Sequence, residues 1–166
     1  FENNSCDRFG GAIYVRYNSE LVVKFCKFYR NASYSGGALY HSRVDSVLMN
    51  CLFQENNATV GGAIYKSGGE MQLTNCIFSY NSSTNGGGIF NTNEVGVRIN
   101  NSEFTGNYAR NSGGGMFIRR GTTDQLLVGC TFKYNYASLR GGGIYSETKC
   151  SPMIKNCLFA GNSSNK

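Results

Sequence analysis

A glycine pair followed by a small, an aliphatic and an aromatic residue recurs six times along the chain. A second phrase, Cys-x-Phe-x-x-Asn, alternates with it, and both phrases return every 25 to 28 residues. Because a fixed period of this length is typical of stacked structural repeats, the sequence predicts a solenoid. The glycine phrases begin at Gly10, Gly36, Gly61, Gly86, Gly113 and Gly141, and the second phrases at Cys26, Cys51, Cys76, Ser102, Cys130 and Cys157.

The second phrase predicts two short strands joined by a one-residue corner. Its cysteine and phenylalanine lie two positions apart, so both side chains share one face of a strand. An aliphatic residue stands three positions before the cysteine, and this odd offset requires a bend between them. Asparagine or glycine usually precedes the cysteine and tolerates the left-handed backbone of a sharp corner. The phenylalanine column is Phe28, Phe53, Phe78, Phe104, Phe132 and Phe159.

The glycine phrase predicts a third strand. We expect its aliphatic residue to point inward and the small and aromatic residues beside it to point outward, although the sequence leaves the reverse assignment open. Short strands that repeat in register stack coil on coil, so the fold class is all-β, a parallel β-helix of about six coils with three strands each. The expected domain is a single solenoid over residues 1–166 that starts and ends in mid-repeat, as a fragment or a polymerising unit of a longer array.

An asparagine closes each second phrase and forms a column of its own. Stacked amides bond to one another and to the backbone of a tight bend, so we expect a ladder of buried side chains. The column is Asn4, Asn31, Asn56, Asn81, Asn107, Asn135 and Asn162.

The alternation of Gly-Gly-Ala-Ile with Phe-x-x-Asn resembles the repeats of the chlamydial polymorphic membrane protein family and of related right-handed parallel β-helix surface proteins. The resemblance covers all six coils, essentially the whole chain. It implies a right-handed β-helical passenger that is displayed on a cell surface and involved in adhesion.

The cysteine column allows two kinds of chemistry besides packing. Stacked Cα atoms about 4.8 Å apart fall within the disulfide range, but parallel side chains hold the sulfur atoms in poor geometry. Ser102 occupies the same position, and His41 is the only histidine in the sequence, so buried structural thiols are favoured over disulfides or a metal. We expect no metal and no cofactor. Cys6 and Cys150 lie outside the column.

An acidic residue follows each glycine phrase, in the turn that also varies in length. A solvated turn explains these residues, with a cation-binding edge as the alternative. Polysaccharide-cleaving chemistry needs paired carboxylates at fixed positions, and here the offsets drift, so we expect no enzyme. A carbohydrate-active enzyme stays as an alternative function. The acids are Glu20, Asp45, Glu70, Glu94, Asp124 and Glu147.

The aromatic column of the glycine phrase is the candidate contact surface. If it faces outward, it forms a stripe that suits binding and glycan stacking, although the rings could also stack on one another and stiffen the sheet. The column is Tyr14, Tyr40, Tyr65, Phe90, Phe117 and Tyr145.

Six Asn-x-Ser/Thr sequons make the chain a candidate glycoprotein. Those in the asparagine column are poor acceptors, because a ladder amide is buried, whereas Asn57 and Asn100 should be freer. The candidates are Asn3, Asn31, Asn57, Asn81, Asn100 and Asn162.

The charge and hydropathy of the chain limit its partners. The net charge is +6, but the basic residues, among them Lys66, are scattered, so no nucleic-acid surface is expected. No apolar run is long enough to span a bilayer. We therefore expect an extracellular or cell-surface structural and adhesive rod that assembles into a filament by head-to-tail stacking of coils. Surface glycans or a host or cell-surface receptor are the expected further partners, and a glycan-binding module is the other alternative.

Overall fold

The chain forms a four-sided parallel β-solenoid. The computed structural model describes residues 1–17, 19–93, 95–119 and 124–165, and in this part 25 strands pair in parallel with the equivalent strands of neighbouring coils. Six coils at about 4.8 Å each give a stack roughly 30 Å long. In the described residues no helix is long and apolar enough to cross a membrane.

Each sheet takes one strand from every coil, and we name it after the sequence feature it carries. The small-residue sheet contains β1 (Ser5–Phe9), β5 (Ala32–Ser35), β9 (Asn57–Val60), β13 (Ser82–Asn85), β17 (Tyr108–Ser112), β21 (Tyr136–Ala137) and β25 (Ser163–Ser164). The glycine-phrase sheet contains β2 (Ile13–Arg16), β6 (Leu39–Ser42), β10 (Ile64–Ser67), β14 (Ile89–Thr92), β18 (Met116–Ile118) and β22 (Ile144–Ser146).

The other two sheets carry the second phrase and the residues before it. The aliphatic sheet contains β3 (Glu20–Lys24), β7 (Asp45–Met49), β11 (Met71–Thr74), β15 (Val97–Asn100), β19 (Leu126–Val128) and β23 (Met153–Lys155). The phenylalanine sheet contains β4 (Lys27–Tyr29), β8 (Leu52–Gln54), β12 (Ile77–Ser79), β16 (Glu103–Thr105), β20 (Thr131–Lys133) and β24 (Leu158–Ala160).

The parallel β-helix is confirmed, but each coil has four strands rather than the predicted three. The additional strand belongs to the small-residue sheet and follows the asparagine column. Its buried positions hold residues such as Ala58, Ser83 and Ala109. Alanine and serine give no hydrophobic alternation, so this strand carries no strong signal in the sequence.

Left-handed residues make the corners of the coil. The corner before each cysteine lies where the sequence predicts it, with φ of 54° at Asn50 and 53° at Asn75. A second corner precedes each asparagine of the ladder and was not predicted. It is formed by residues such as Arg30 and Glu55, at φ of 53° and 55°. These side chains have no preference for the left-handed region, so the stacking of neighbouring coils must hold them there.

The core combines the aliphatic, cysteine and phenylalanine columns. Leu39, Ile64 and Ile89 are fully buried, which confirms that the aliphatic residue of the glycine phrase points inward. The small residue before it is also in the core: Ala38 and Ala63 are fully buried, so the prediction that this residue faces outward was wrong. The rule that neighbouring side chains point to opposite sides of a strand does not apply to the small residue, because the strands begin one position later, at the aliphatic residue.

The phenylalanine rings form a continuous stack through the core. Phe28, Phe53 and Phe78 are fully buried, and consecutive rings have centroids 4.7 and 4.8 Å apart with interplanar angles of 2°. This ring spacing equals the spacing of parallel strands, so each coil contributes one ring to the stack.

The glycine pair allows neighbouring coils to approach at the next corner. Gly61 has φ of 66°, the left-handed conformation. A Cβ atom on Gly62 would lie 2.1 Å from the Gly87 carbonyl oxygen. The second glycine is therefore required by close backbone packing and not by its own φ angle.

Candidate functional site

The aromatic column lies outside the hydrophobic core, on the outer face of the glycine-phrase sheet. Its rings stack along the solenoid, with centroids 5.0 Å apart for Tyr40 and Tyr65 and 5.5 Å apart for Tyr65 and Phe90. Both arrangements considered from the sequence are therefore combined, because the column faces outward and its rings also stack on one another. Tyr14, at one end, is 48 % exposed, whereas Phe90 and Phe117 are 4 % and 6 % exposed.

The last four members of this column form one side of a groove of about 500 Å³, which we call the aromatic groove. Its aromatic side contains Tyr65, Phe90, Phe117 and Tyr145, and its opposite wall comes from the ends of strands in the small-residue sheet. The groove follows the corner that the glycine pairs make, so the glycines shape the groove without contributing side chains.

Polar groups surround the aromatic rings. The wall includes Ser35, Asn85 and Ser112, and Arg119 and Glu147 lie at one end. Burial raises the pKa of the Tyr65 hydroxyl, so Tyr65 is a neutral hydrogen-bonding group at physiological pH. The groove can therefore offer ring edges, hydroxyls, amides and a guanidinium to a ligand.

The asparagine column forms a hydrogen-bonded ladder between coils. The Asn81 Oδ1 atom accepts from the backbone N–H and the Nδ2 of Asn56, each at 2.9 Å. Its own Nδ2 donates to the Asn107 Oδ1 and to the Phe53 carbonyl, both at 2.9 Å. Each amide thus satisfies backbone groups that the left-handed corner would leave unpaired.

The ladder corrects two of the glycosylation candidates. Asn31 and Asn81 are fully buried and their amide nitrogens donate hydrogen bonds, so neither can carry a glycan. Asn162 also uses its amide nitrogen in the ladder, because its Nδ2 donates to the Phe132 carbonyl at 2.7 Å, and it is therefore a poor acceptor. Asn3 and Asn57 are exposed and Asn100 is half-buried, so these three stay predictions.

The seven cysteines are free thiols. Cys51, Cys76 and Cys130 are buried, and their sulfurs make hydrogen bonds to backbone carbonyls of their own or the preceding coil. Burial raises the pKa of the Cys130 thiol to about 11, and a side-chain hydrogen bond with Cys51, together with burial, raises the pKa of Cys76. The two raised pKa values favour the inert thiol form.

The acidic residues do not form a single edge. The backbone N–H of Glu70 donates to the Asp45 Oδ1 at 2.8 Å, whereas Glu147 lies at the aromatic groove. Asp124 contributes to a small crevice with Glu70 and Arg98, and Glu94 is outside the described residues. Within the described ranges, no group of three or more His, Cys, Asp or Glu side chains could hold a metal ion.

A buried polar column inside the solenoid was missed by the sequence analysis. His41, Lys66 and Asn91 are register partners on β6, β10 and β14, and all three are fully buried. The scatter of basic residues along the sequence predicts Lys66 to be a surface charge, and the structure contradicts this because the side chain is fully buried. The sequence does carry a signal for this burial. Lys66 lies two positions after the inward-facing Ile64 on the same strand, so the alternation of side chains predicts that it also points inward.

Burial dominates the electrostatics of this polar column. It lowers the pKa of His41 to about 4, aided by the nearby Lys66 charge, so the imidazole is neutral at pH 7. It also lowers the pKa of Lys66 to about 8, although Glu70 and Asp45 oppose the shift. Neither imidazole nitrogen has a hydrogen-bond partner, and the Asn91 Oδ1 is also unpartnered.

Comparison with known protein families agrees with this architecture. Residues 1–101 match the model of the right-handed beta helix region, and residues 129–147 match that of the Chlamydia polymorphic membrane protein repeat. The first match covers more than half of the chain, which therefore belongs to the right-handed β-helix family. Together the matches indicate a β-helical protein of the surface type. No curated protein and no solved structure matches the chain.

Proposed function

We propose that this chain is a structural and adhesive rod of an extracellular surface protein and that it binds glycan along the aromatic groove. The observation that carries the proposal is the stacked aromatic column beside a polar wall on an outer face of the solenoid. A groove along the axis suits an extended ligand, because successive coils repeat the same contacts.

The ring geometry favours an oxygen-rich ligand. Since the rings stack on one another, their faces are largely covered and their edges border the groove. Ring edges carry the positive part of the aromatic quadrupole. Hydroxyl and carboxylate oxygens therefore suit the edges, and the net charge of +6 favours an anionic glycan.

The groove favours binding over hydrolysis. Among its lining residues in the described part of the chain, Glu147 is the only carboxylate. Glycoside hydrolysis usually requires two carboxylates on opposite sides of the scissile bond. We therefore propose no reaction for this surface.

A binding comparison of two tyrosine variants tests the glycan proposal. We expect the purified chain to bind polygalacturonate more tightly than neutral dextran in isothermal titration calorimetry. Tyr65→Ala should weaken binding about tenfold, which corresponds to about 1.4 kcal/mol. Tyr80→Ala is the matched control, because Tyr80 is exposed at a different corner, and it should bind like the wild type. Equal binding by both variants, or no binding to either polymer, would overturn the proposal.

End-to-end association is a second candidate function, supported by the constant spacing of the phenylalanine stack. Consecutive rings are 4.7 and 4.8 Å apart with interplanar angles of 2°, so a coil from another copy of the chain could continue the stack with the same contacts. Sedimentation velocity over a range of concentrations should then show linear oligomers that elongate. A constant monomer at every concentration would refute the association.

A further inference from the structure

The buried polar column contains an amine whose charge is poorly compensated. The Lys66 Nζ donates to the carbonyl oxygens of Val95 and Gly96, the latter at 3.4 Å. Within the described part of the chain, no carboxylate lies within ion-pair distance of this amine. Asp45 and Glu70 influence it from the exposed turns. A buried ammonium without an ion-pair partner is unfavourable, so a reaction that removed the charge would relieve this cost.

The side chain next to Lys66 in the column is an amide. Lys66 and Asn91 are register partners on the parallel strands β10 and β14, so their Cα atoms are about 4.8 Å apart and both side chains project from one face. The Asn91 Nδ2 donates to the Gln125 Oε1 at 2.7 Å, which orients the amide. Its Oδ1 has no partner. In the structure Nζ contacts the Val95 and Gly96 carbonyls. The lysine side chain is longer than the strand spacing, so rotation about its terminal bonds can bring Nζ to the Asn91 Cγ.

We propose that Lys66 and Asn91 condense into an intramolecular isopeptide bond that joins the third and fourth glycine-phrase strands. The inference is independent of the aromatic groove and of any glycan.

The reaction needs only the groups already in the column. The neutral Nζ attacks the Asn91 Cγ, and a new C–N bond forms. The proton on Nζ passes to Nδ2, the Cγ–Nδ2 bond breaks, and ammonia leaves. The lysine loses its first proton to the solvent, and the released ammonia takes up a proton there. The overall change is therefore from one alkylammonium and one primary amide to one ammonium ion and one secondary amide. No oxidant, reductant or cofactor takes part.

The surroundings support each part of this reaction. Burial lowers the pKa of Lys66, which raises the fraction of nucleophilic amine near pH 8. His41 lies on the other side of Lys66, and because its imidazole is neutral it adds no positive charge beside the attacking amine. Gln125 accepts from the Asn91 Nδ2 and from the Val97 N–H, and its Oε1 can accept from the new amide N–H after ammonia has left. Full burial keeps bulk water away from the product.

Peptide mapping of the folded wild-type chain tests the bond directly. Cleavage after glutamate releases residues 56–70, which contain Lys66, and residues 71–94, which contain Asn91. We expect these two fragments to remain joined after denaturation and thiol reduction, with a combined mass lower by one ammonia than the sum of the free fragments. Recovery of the two fragments separately and unmodified, after incubation of the folded chain at pH 8, would overturn the proposal.

Three variants separate this bond from other losses of ammonia. Lys66→Met and Asn91→Ala should each release two separate fragments. Asn85→Ala is the matched control, because Asn85 precedes Gly86 and could close to a succinimide of the same mass loss. A succinimide cannot join two fragments, so Asn85→Ala should keep the joined pair. Joined fragments in Lys66→Met would also refute the assignment.

The rate of bond formation gives a readout that a structural role alone would not change. In freshly refolded chain, the rate should rise through pH 8 as the Lys66 amine loses its proton. The other titratable groups that act on the column are His41, Asp45 and Glu70, and none of them should make the rate fall over this range. His41→Leu should leave both the linked positions and the rise of the rate with pH unchanged. A rate that is independent of pH would contradict attack by the Lys66 amine.

Discussion

Two inner corners of the coil differ in their regularity. Where the phenylalanine sheet meets the small-residue sheet, successive coils place the same ring and the same amide, and the ladder amides in the middle of the stack have partners. Where the glycine-phrase sheet meets the aliphatic sheet, successive coils place His41, Lys66 and Asn91, and several polar atoms are unpartnered. The regular corner stabilises the stacking of the coils, whereas the irregular corner brings together buried polar groups that could react.

The largest expected effect comes from breaking the regular corner. Phe78→Ala removes a fully buried ring that stacks on two neighbours, and it should lower the free energy of unfolding by about 4 kcal/mol. Ile77→Ala is the matched control, because Ile77 lies on the same strand but is 44 % exposed, and it should cost about 1 kcal/mol or less. Urea denaturation measures both. A similar decrease in the free energy of unfolding in the two variants would show that the ring stack does not stabilise the fold more than an exposed side chain does.

A smaller effect is expected from interrupting the amide ladder. Asn81→Ala removes the side-chain partner of the Asn56 N–H and of the Phe53 carbonyl and one of the two acceptors of the Asn56 Nδ2, and it should cost about 3 kcal/mol. The control is Asn57→Ala, whose side chain is exposed on the adjacent strand, and it should change stability by about 0.5 kcal/mol or less. If Asn81→Ala unfolds at the same urea concentration as the wild type, the ladder does not stabilise the coil.

The smallest of the three effects tests the irregular corner through pH. The pKa of His41 is about 4 in the folded chain, below the ordinary value of 6.5, so the unfolded state takes up the proton first as the pH falls. The His41 contribution is complete above pH 6.5 and is lost between pH 6.5 and 4. At pH 5 the loss should be about 2 kcal/mol.

The control for this pH effect is His41→Leu. It should remove this part of the pH dependence, while the carboxylates contribute equally to both proteins. The change in the Lys66 proton affinity acts above pH 8 and does not overlap this range. Parallel stability curves for wild type and variant from pH 7 to pH 4 would show that His41 is not a buried neutral group.

The regular corner was largely predictable and the irregular one was not. Identical residues at a constant period predict which columns stack, and the phenylalanine and asparagine columns follow this rule because like side chains fill like spaces. The column that contains Lys66 has a different residue type in each coil, so no repeat marks it. Only the alternation of side chains from Ile64 indicates that Lys66 points inward. Surface placement is the common state of a lysine, and here the strand geometry overrides it.

The repeat pattern was enough to predict the parallel stacking, the corner before the cysteine column and the inward direction of the phenylalanine column. These features depend on residues within one period and on the spacing between strands. Only the folded structure shows the fourth strand, the second corner, the burial of Phe90 and Phe117 beside the aromatic groove, and the pairing of Lys66 with Asn91 in register. Those features depend on the packing of neighbouring coils. Backbone contacts between coils hold residues such as Arg30 and Glu55 in the left-handed corner, against their local conformational preference.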